Sequence, residues 1–303
     1  MSQRAILFPG QGAQAVGMGR ELAESNSACR ELFDRASAVL GYDLADICFN
    51  GPIEKLTISA HAQPAIFVHS VAAWTAWKQA QPDWTFSCAA GLSSGEWTAL
   101  HLAGVVGYEE TLKILEARGR FMTEACTASP GGMLSALGAT AEQLEKLCAE
   151  TGLEQANLNS PEQTVLSGPV EGVDKAESLA SSLGIRRVIR LNVAGAFHST
   201  LMRPAAAKLE AELGRIEFRA PSFPVLSNVT ALPHGTPDDI RALMVRQVYS
   251  SVRWYQGIDW MKAQGVSEYL ECGPGKVLTG LVKRIDKGAR LHSIQDPSGL
   301  EWK

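Results

Sequence analysis

The sequence predicts an α/β fold in two parts: a larger domain around a mainly parallel sheet, and a small β-α-β-β-α-β unit inserted into it. Three features carry this. Short strand patterns at residues 4–8, 86–90, 224–227 and 268–271 alternate with long helical patterns, the rhythm of a parallel sheet with helices on its faces. Residues 133–193 break that rhythm with the strand and helix order of a ferredoxin-like unit. Gly- and Pro-containing joints, such as Ser129-Pro130-Gly131-Gly132, mark where one part gives way to the other. The expected division is 1–128 and 197–303 for the larger domain and 129–196 for the insertion.

In chain order, residues 4–8 read as a buried strand running into Pro9-Gly10-Gln11-Gly12-Ala13-Gln14. Helical patterns follow at 20–40 and 63–80, then strand 86–90, a helix from Trp97 and another over 109–125. The insertion reads as strand 133–137, helix 141–151, strands 154–158 and 164–167, helix 170–183 and strand 187–193. The chain returns through helix 200–213, strand 224–227, helix 238–249, strand 268–271 and helix 276–285. Residues from Asp296 onward read as a loose tail.

Composition narrows the function. With 303 residues, 46% hydrophobic and 20% charged, the chain has the make-up of an ordinary globular protein that can bury a large core. A net charge of −4, from 28 Lys and Arg against 32 Asp and Glu, gives no sign of nucleic acid or an anionic membrane as partner. The most apolar run, residues 65–77, is broken by His69 and Ser70 and falls short of the ~20 residues of a membrane span. Residues 5–8 are too short for a signal-peptide core. Six cysteines are scattered without a C-x-x-C pair, so reduced thiols in the cytoplasm are expected and a zinc site is not. No metal or other cofactor is expected.

Gly91-Leu92-Ser93-Ser94-Gly95 carries the chemistry. On a strand–turn–helix, G-x-S-x-G forms a nucleophile elbow and makes the larger domain α/β-hydrolase-like. The glycines avoid collisions in so tight a turn, and the helix that follows aims its free N–H groups at the serine oxygen. In this register Ser93 is the nucleophile and Ser94 supplies a backbone N–H. The pattern alone also fits an ordinary Gly/Ser turn. The Gly10/Gly12 turn is neither a phosphate loop nor a dinucleotide fingerprint, but its N–H groups can face an anion.

A serine nucleophile needs a base. His198 stands among small residues in Gly195-Ala196-Phe197-His198-Ser199, before a helix whose N-terminus disfavours imidazolium. Arg118 has Ile114, Leu115, Phe121 and Met122 three and four residues away and no acid at that spacing, so it stands on an apolar stripe. A guanidinium there needs an anion, and its planar fork suits a carboxylate; a distant acid or backbone carbonyls would also satisfy it. Arg120, with Glu116 and Glu124 one turn away, reads as a paired surface residue. Gln247 shares a helix face with Leu243 and Met244, near a C-terminus whose free carbonyls can hold a histidine N–H. The plain alternative is an amide satisfied in the core.

Five ordered motifs, Phe8-Pro9-Gly10-Gln11-Gly12, the Ser93 elbow, Glu116 to Met122, Gly195 to Ser199 and Glu271-Cys272-Gly273-Pro274-Gly275, resemble the malonyl-CoA:acyl carrier protein transacylases over nearly the whole chain. The resemblance implies malonyl transfer from malonyl-CoA to acyl carrier protein through acyl-Ser93, with no cofactor. His198 would be the base, the Gln247 carbonyl would orient it, and the N–H groups of Gln11 and Ser94 would form the oxyanion hole. Arg118 and Asn159 would bind substrate. One departure stands out: Leu92 and Ser94 replace the histidine and leucine usual in the family. A trans-acting polyketide acyltransferase, a serine thioesterase or lipase, and a silent carrier-binding domain are the alternatives. The cations Arg186, Arg187, Arg190, Lys276, Lys283, Arg284 and Lys287, on an acidic chain, are expected to dock an acidic carrier.

Overall fold

The computed structural model describes residues 3–301. The first part of the chain forms β1 (Gln3–Phe8), α1 (Arg20–Ser25), α2 (Ser27–Leu40), α3 (Leu44–Asn50), α4 (Ile53–Leu56), α5 (Ser59–Ala80), β2 (Cys88–Gly91), α6 (Gly95–Leu102) and α7 (Tyr108–Ala128). Next come β3 (Gly131–Leu137), α8 (Ala141–Thr151), β4 (Glu154–Ser160), β5 (Gln163–Pro169), α9 (Val170–Leu179) and β6 (Arg187–Arg190). The remainder is α10 (Arg203–Leu213), β7 (Val225–Leu226), α11 (Pro237–Gln247), α12 (Trp254–Ala263), β8 (Val266–Cys272), α13 (Val277–Ile285) and β9 (Arg290–Ile294).

Five strands pair in the order β7-β2-β1-β8-β9, every pair parallel. Successive residues of a strand point to opposite faces, and both faces of β1 are buried. Ile6 and Phe8 enter the large core with Phe33, Phe67 and Leu115. Ala5 and Leu7 enter a second core with Trp254, Met261 and Leu281. This is why β1 reads as a continuous apolar run from Ala5 to Phe8. Because they are parallel, their C-terminal ends lie together: Phe8 pairs with Gly91, and Leu7 with Glu271. The turns that follow these strands therefore meet at one edge of the sheet, where open α/β sheets place their ligand sites. At the β8 turn, the buried Glu271 carboxylate accepts from the N–H groups of Leu278 and Thr279 at the start of α13.

The second sheet is antiparallel, in the order β4-β5-β3-β6, with α8 and α9 packed on it around Leu134, Leu147, Leu166 and Val173. This is the ferredoxin-like arrangement. Among the described residues no helix is long and apolar enough to cross a membrane.

Several boundaries differ from expectation. The single helix expected over 20–40 is two, because the Asn26 side chain accepts from Ala28 and Cys29 N–H and starts α2 afresh. The helix expected from Gln63 begins at Ser59, with Pro64 inside it. The helix expected to Leu183 ends at Leu179, and the strand expected to Val193 ends at Arg190. Residues Thr200–Met202 are a 3₁₀ turn leading into α10. Helix α12 and strand β9 were not expected. The expected tail contains a 3₁₀ turn, Pro297–Leu300, started by the Asp296 carboxylate; its last two residues, Trp302 and Lys303, lie outside the described residues.

Candidate active site

The elbow is built by contact. A Cβ on Gly91 would lie 1.9 Å from Gly95 C and O, and one on Gly95 would lie 2.2 Å from Phe8 O. Only hydrogen fits at either position, so α6 can start directly against β1 and β2. Ser93 takes the left-handed conformation, φ 53°, and its side chain is half-buried. A residue there is strained by roughly 1–3 kcal/mol and must be held by its surroundings. Asn228, just after β7, does this: Oδ1 accepts from Ser93 N–H at 2.7 Å and Nδ2 donates to Gly91 O at 2.8 Å.

His198 also has positive φ, 59°, and is buried. Its Nε2 is 2.7 Å from Ser93 Oγ, and its Nδ1 is 2.9 Å from the carbonyl oxygen of Gln247 at the end of α11. The carbonyl can only accept, so Nδ1 carries the proton and Nε2 is left to receive one from Ser93. Burial, and then the charge of Arg118, lower the imidazole pKa to about 4, against the opposing pull of the Gln247 and Ser250 backbone. The local sequence displays neither cause, and the segment after His198 opens as a 3₁₀ turn rather than a full helix.

Arg118 is 1% exposed. Nη1 donates to Gln63 Oε1 at 2.8 Å, and Nη2 to Gln247 Oε1 at 3.0 Å and Ser93 Oγ at 3.2 Å. Its Nε is buried with no partner, and among the described residues no carboxylate pairs with it. Burial lowers its pKa to about 10, with the charge of Glu96 opposing, so it stays cationic at neutral pH. The guanidinium is thus held by neutral oxygens, and its Nε–H is left without a partner.

The Gly10–Gln11 turn abuts the elbow: a Cβ on Gly10 would lie 2.2 Å from Leu92 O and 3.5 Å from Ser94 Oγ. Among the described residues, the N–H groups of Gln11 and Ser94 have no protein partner. The Gln11 side chain is tied to Ser59 and Gln63. Beside His198 lies a cleft of about 270 Å³, lined also by Gln155, Arg246, Tyr249 and Arg253.

The comparisons with known proteins follow the same lines. The model of the acyl transferase domain family matches residues 6–288. The chain belongs to the acyl transferase family. It is similar to the malonyl CoA-acyl carrier protein transacylase of Bacillus subtilis strain 168, 41% identical over 99% of this chain and 96% of that one. The Escherichia coli K12 protein of the same name is 40% identical over 99% and 98%. Among solved structures, an acyl carrier protein S-malonyltransferase from Vibrio cholerae superposes with a TM-score of 0.95 at 40% identity, covering 99% of both chains. A malonyl-transacylase in complex with a type II PKS acyl-carrier protein gives 0.95 at 38%, covering 99% and 98%.

The other candidate residues of this acyltransferase make no side-chain hydrogen bond to the serine among the described residues. Asn159, on β4, is half-buried with an unbonded side-chain oxygen and makes no recorded hydrogen bond to Ser93, His198, Arg118 or Gln247. Lys276, Lys283 and Arg284 are exposed at α13, where Arg284 bonds Gln163 at the β4–β5 hairpin. Arg186 and Arg187 are exposed at β6, the other edge of that sheet, and Arg190 is paired with Asp174 and Glu177. Leu92 packs against the second core. The Ser94 hydroxyl is buried without a partner. Two site residues escape a sequence reading. Asn228 follows a two-residue strand with no local signal, and Gln63 shows only as a polar residue amid the apolar positions of α5.

The histidine should be neutral above about pH 4 and lose its capacity as a base as pH falls through that value. Acylation of the serine should therefore vary little between pH 5.5 and 7.5, measured by quench-flow at saturating acyl donor. A break near 6.5, the value for an unperturbed imidazole, would contradict the burial account.

Proposed function

We propose that the chain transfers the malonyl group of malonyl-CoA to the pantetheine thiol of acyl carrier protein, through a malonyl-Ser93 intermediate, for fatty-acid synthesis. The single observation that carries this is Arg118: a buried cation 3.2 Å from the serine hydroxyl, with no carboxylate of its own. The relatives named above are malonyl transacylases, and a malonyl thioester brings the free carboxylate this site lacks.

Ser93 Oγ gives its proton to His198 Nε2 and attacks the thioester carbonyl. The oxyanion is met by the Gln11 and Ser94 N–H groups. Collapse breaks the C–S bond, and the imidazolium, a strong acid in this setting, returns its proton to the leaving CoA sulfur. The pantetheine thiol then gives its proton to His198 and attacks the acyl-serine, and Ser93 recovers the proton as the acyl group leaves. Water is the rival acceptor in a thioesterase or lipase. The carbonyl partner of His198, where those enzymes place an acid, supports transferase over the Ser-acid-His order of an α/β-hydrolase. A polyketide carrier would be loaded by the same chemistry, as the carrier complex among the structural neighbours illustrates for its own protein.

We further infer that 129–196 acts as an inserted unit on 1–128 and 197–303, and that the enzyme works in the cytoplasm, as its six free cysteines suit. For carrier docking we favour α13, whose exposed Lys283 and Arg284 make no ion pair among the described residues, whereas Arg190 of β6 is paired with Asp174 and Glu177. Lys283→Glu should raise the KM for carrier protein and leave that for malonyl-CoA within about twofold. An equal rise for both substrates would remove α13 from the docking surface.

Arg118→Ala should lower kcat/KM for malonyl-CoA by about two to four decades, since removing one partner of a buried charged pair costs ~3–5 kcal/mol. Acetyl-CoA should be affected little. Arg118→Lys should recover only part of the malonyl activity, because an ammonium lacks the fork. Steady-state kinetics on both thioesters decides it: a parallel drop would make Arg118 structural and the malonyl assignment unsupported.

A further inference from the structure

Glu96 is the second residue of α6, in the first turn of that helix. In the structure it is 0% exposed. Its Oε1 accepts from His234 Nε2 at 2.7 Å, and its Oε2 from Asn228 N–H at 3.2 Å and Gln247 Nε2 at 2.6 Å. All three partners are donors, as a carboxylate needs.

The decisive partner is Gln247. Its carboxamide has a donor end and an acceptor end, and the neighbours discriminate between them. Nε2 faces Glu96 and the Ser93 carbonyl, 2.6 and 2.9 Å away, while Oε1 faces Arg118 Nη2 at 3.0 Å. Turned over, the amide would set its NH₂ against the guanidinium and its oxygen against a carboxylate, two repulsive contacts in a dry interior. One loop supplies the support from behind. After β7 the chain folds back through a tight turn, with Ala231 at φ 59° and Ser227 N–H bonded to Leu232 O, so that Asn228 reaches Ser93 and His234 reaches Glu96.

We propose that Glu96 is a positioning residue for acyl-group selection: it fixes the Gln247 carboxamide so that its oxygen anchors Arg118, and His234 holds Glu96 in place. Glu96 touches no substrate. Glu96 also supports Asn228 and, through Gln247, the Ser93 carbonyl, but its link to Arg118 is the one that separates malonyl from acetyl transfer. This rests on the malonyl function above.

The test is kcat/KM for malonyl-CoA and acetyl-CoA in the parent and three variants. Glu96→Met fills the space without an acceptor and should lower the malonyl value at least about 10-fold, with the acetyl value within about threefold of the parent. Glu96→Gln can offer its oxygen to Gln247 and Asn228 and its NH₂ to His234 in the other tautomer; it should stay within about threefold on both substrates. His234→Leu leaves every residue of the site in place and should lower the malonyl-to-acetyl ratio by a smaller factor, which keeps the test decisive if Glu96→Met does not fold. A parallel fall on both substrates in Glu96→Met, a loss in Glu96→Gln as large as in Glu96→Met, or an unchanged ratio in His234→Leu would each overturn the proposal. A parent that shows no preference for malonyl-CoA would instead contradict the function itself, before any variant is compared.

Discussion

A guanidinium stripped of water and given no carboxylate must be held by neutral oxygens, and the site is arranged around that requirement. Arg118 is reached by a glutamine from α5, a glutamine from the end of α11 and the elbow serine. Three distant segments must therefore close on one side chain. Each also serves another part of the site: Gln63 bonds Gln11, and Gln247 lends its main-chain carbonyl to His198 and its amide to the Ser93 carbonyl. Burial first, and then the positive charge of Arg118 beside it, keep the neighbouring imidazole neutral.

The second constraint is steric. Ser93 and His198, the pair proposed to react, both adopt positive φ, a conformation that a side chain tolerates only when its surroundings impose it. At the elbow this comes from glycine contacts that let α6 abut β1, and from Asn228, which bridges the two ends of the turn. The parallel sheet is what makes those contacts possible, because it delivers the ends of β1 and β2 side by side.

Much of this was legible in the chain itself. The elbow shows because its chemistry is local: strand, serine, glycine spacing and helix occupy about a dozen residues. Arg118 shows because a charge on an apolar stripe violates helix periodicity. Gln247 shows for the same reason, and the insertion shows through a change of rhythm. What stayed hidden depends on partners far away in sequence. Asn228 lies 135 residues from Ser93, and Glu96 carries the ordinary look of a first-turn acid until His234 is folded over it, 138 residues on. Helix α2 was misjudged because a side-chain cap at Asn26 interrupts a pattern that is apolar on both sides. β9 does not show because an edge strand with an exposed Arg290 and half-buried Leu291, His292 and Ser293 lacks the apolar run of β1.

The central claim is that the serine ester and the substrate carboxylate are held at one site by residues 93 and 118. A crystal structure of the parent protein, soaked with excess malonyl-CoA in the absence of carrier protein so that the acyl-serine has no acceptor thiol, tests it most directly. The account predicts a malonyl ester on Ser93 Oγ, its carbonyl oxygen at the Gln11 and Ser94 N–H groups and its free carboxylate paired with the Arg118 fork. An ester on Ser94, or a carboxylate turned out into the cleft toward Arg246 or Arg253, would contradict it.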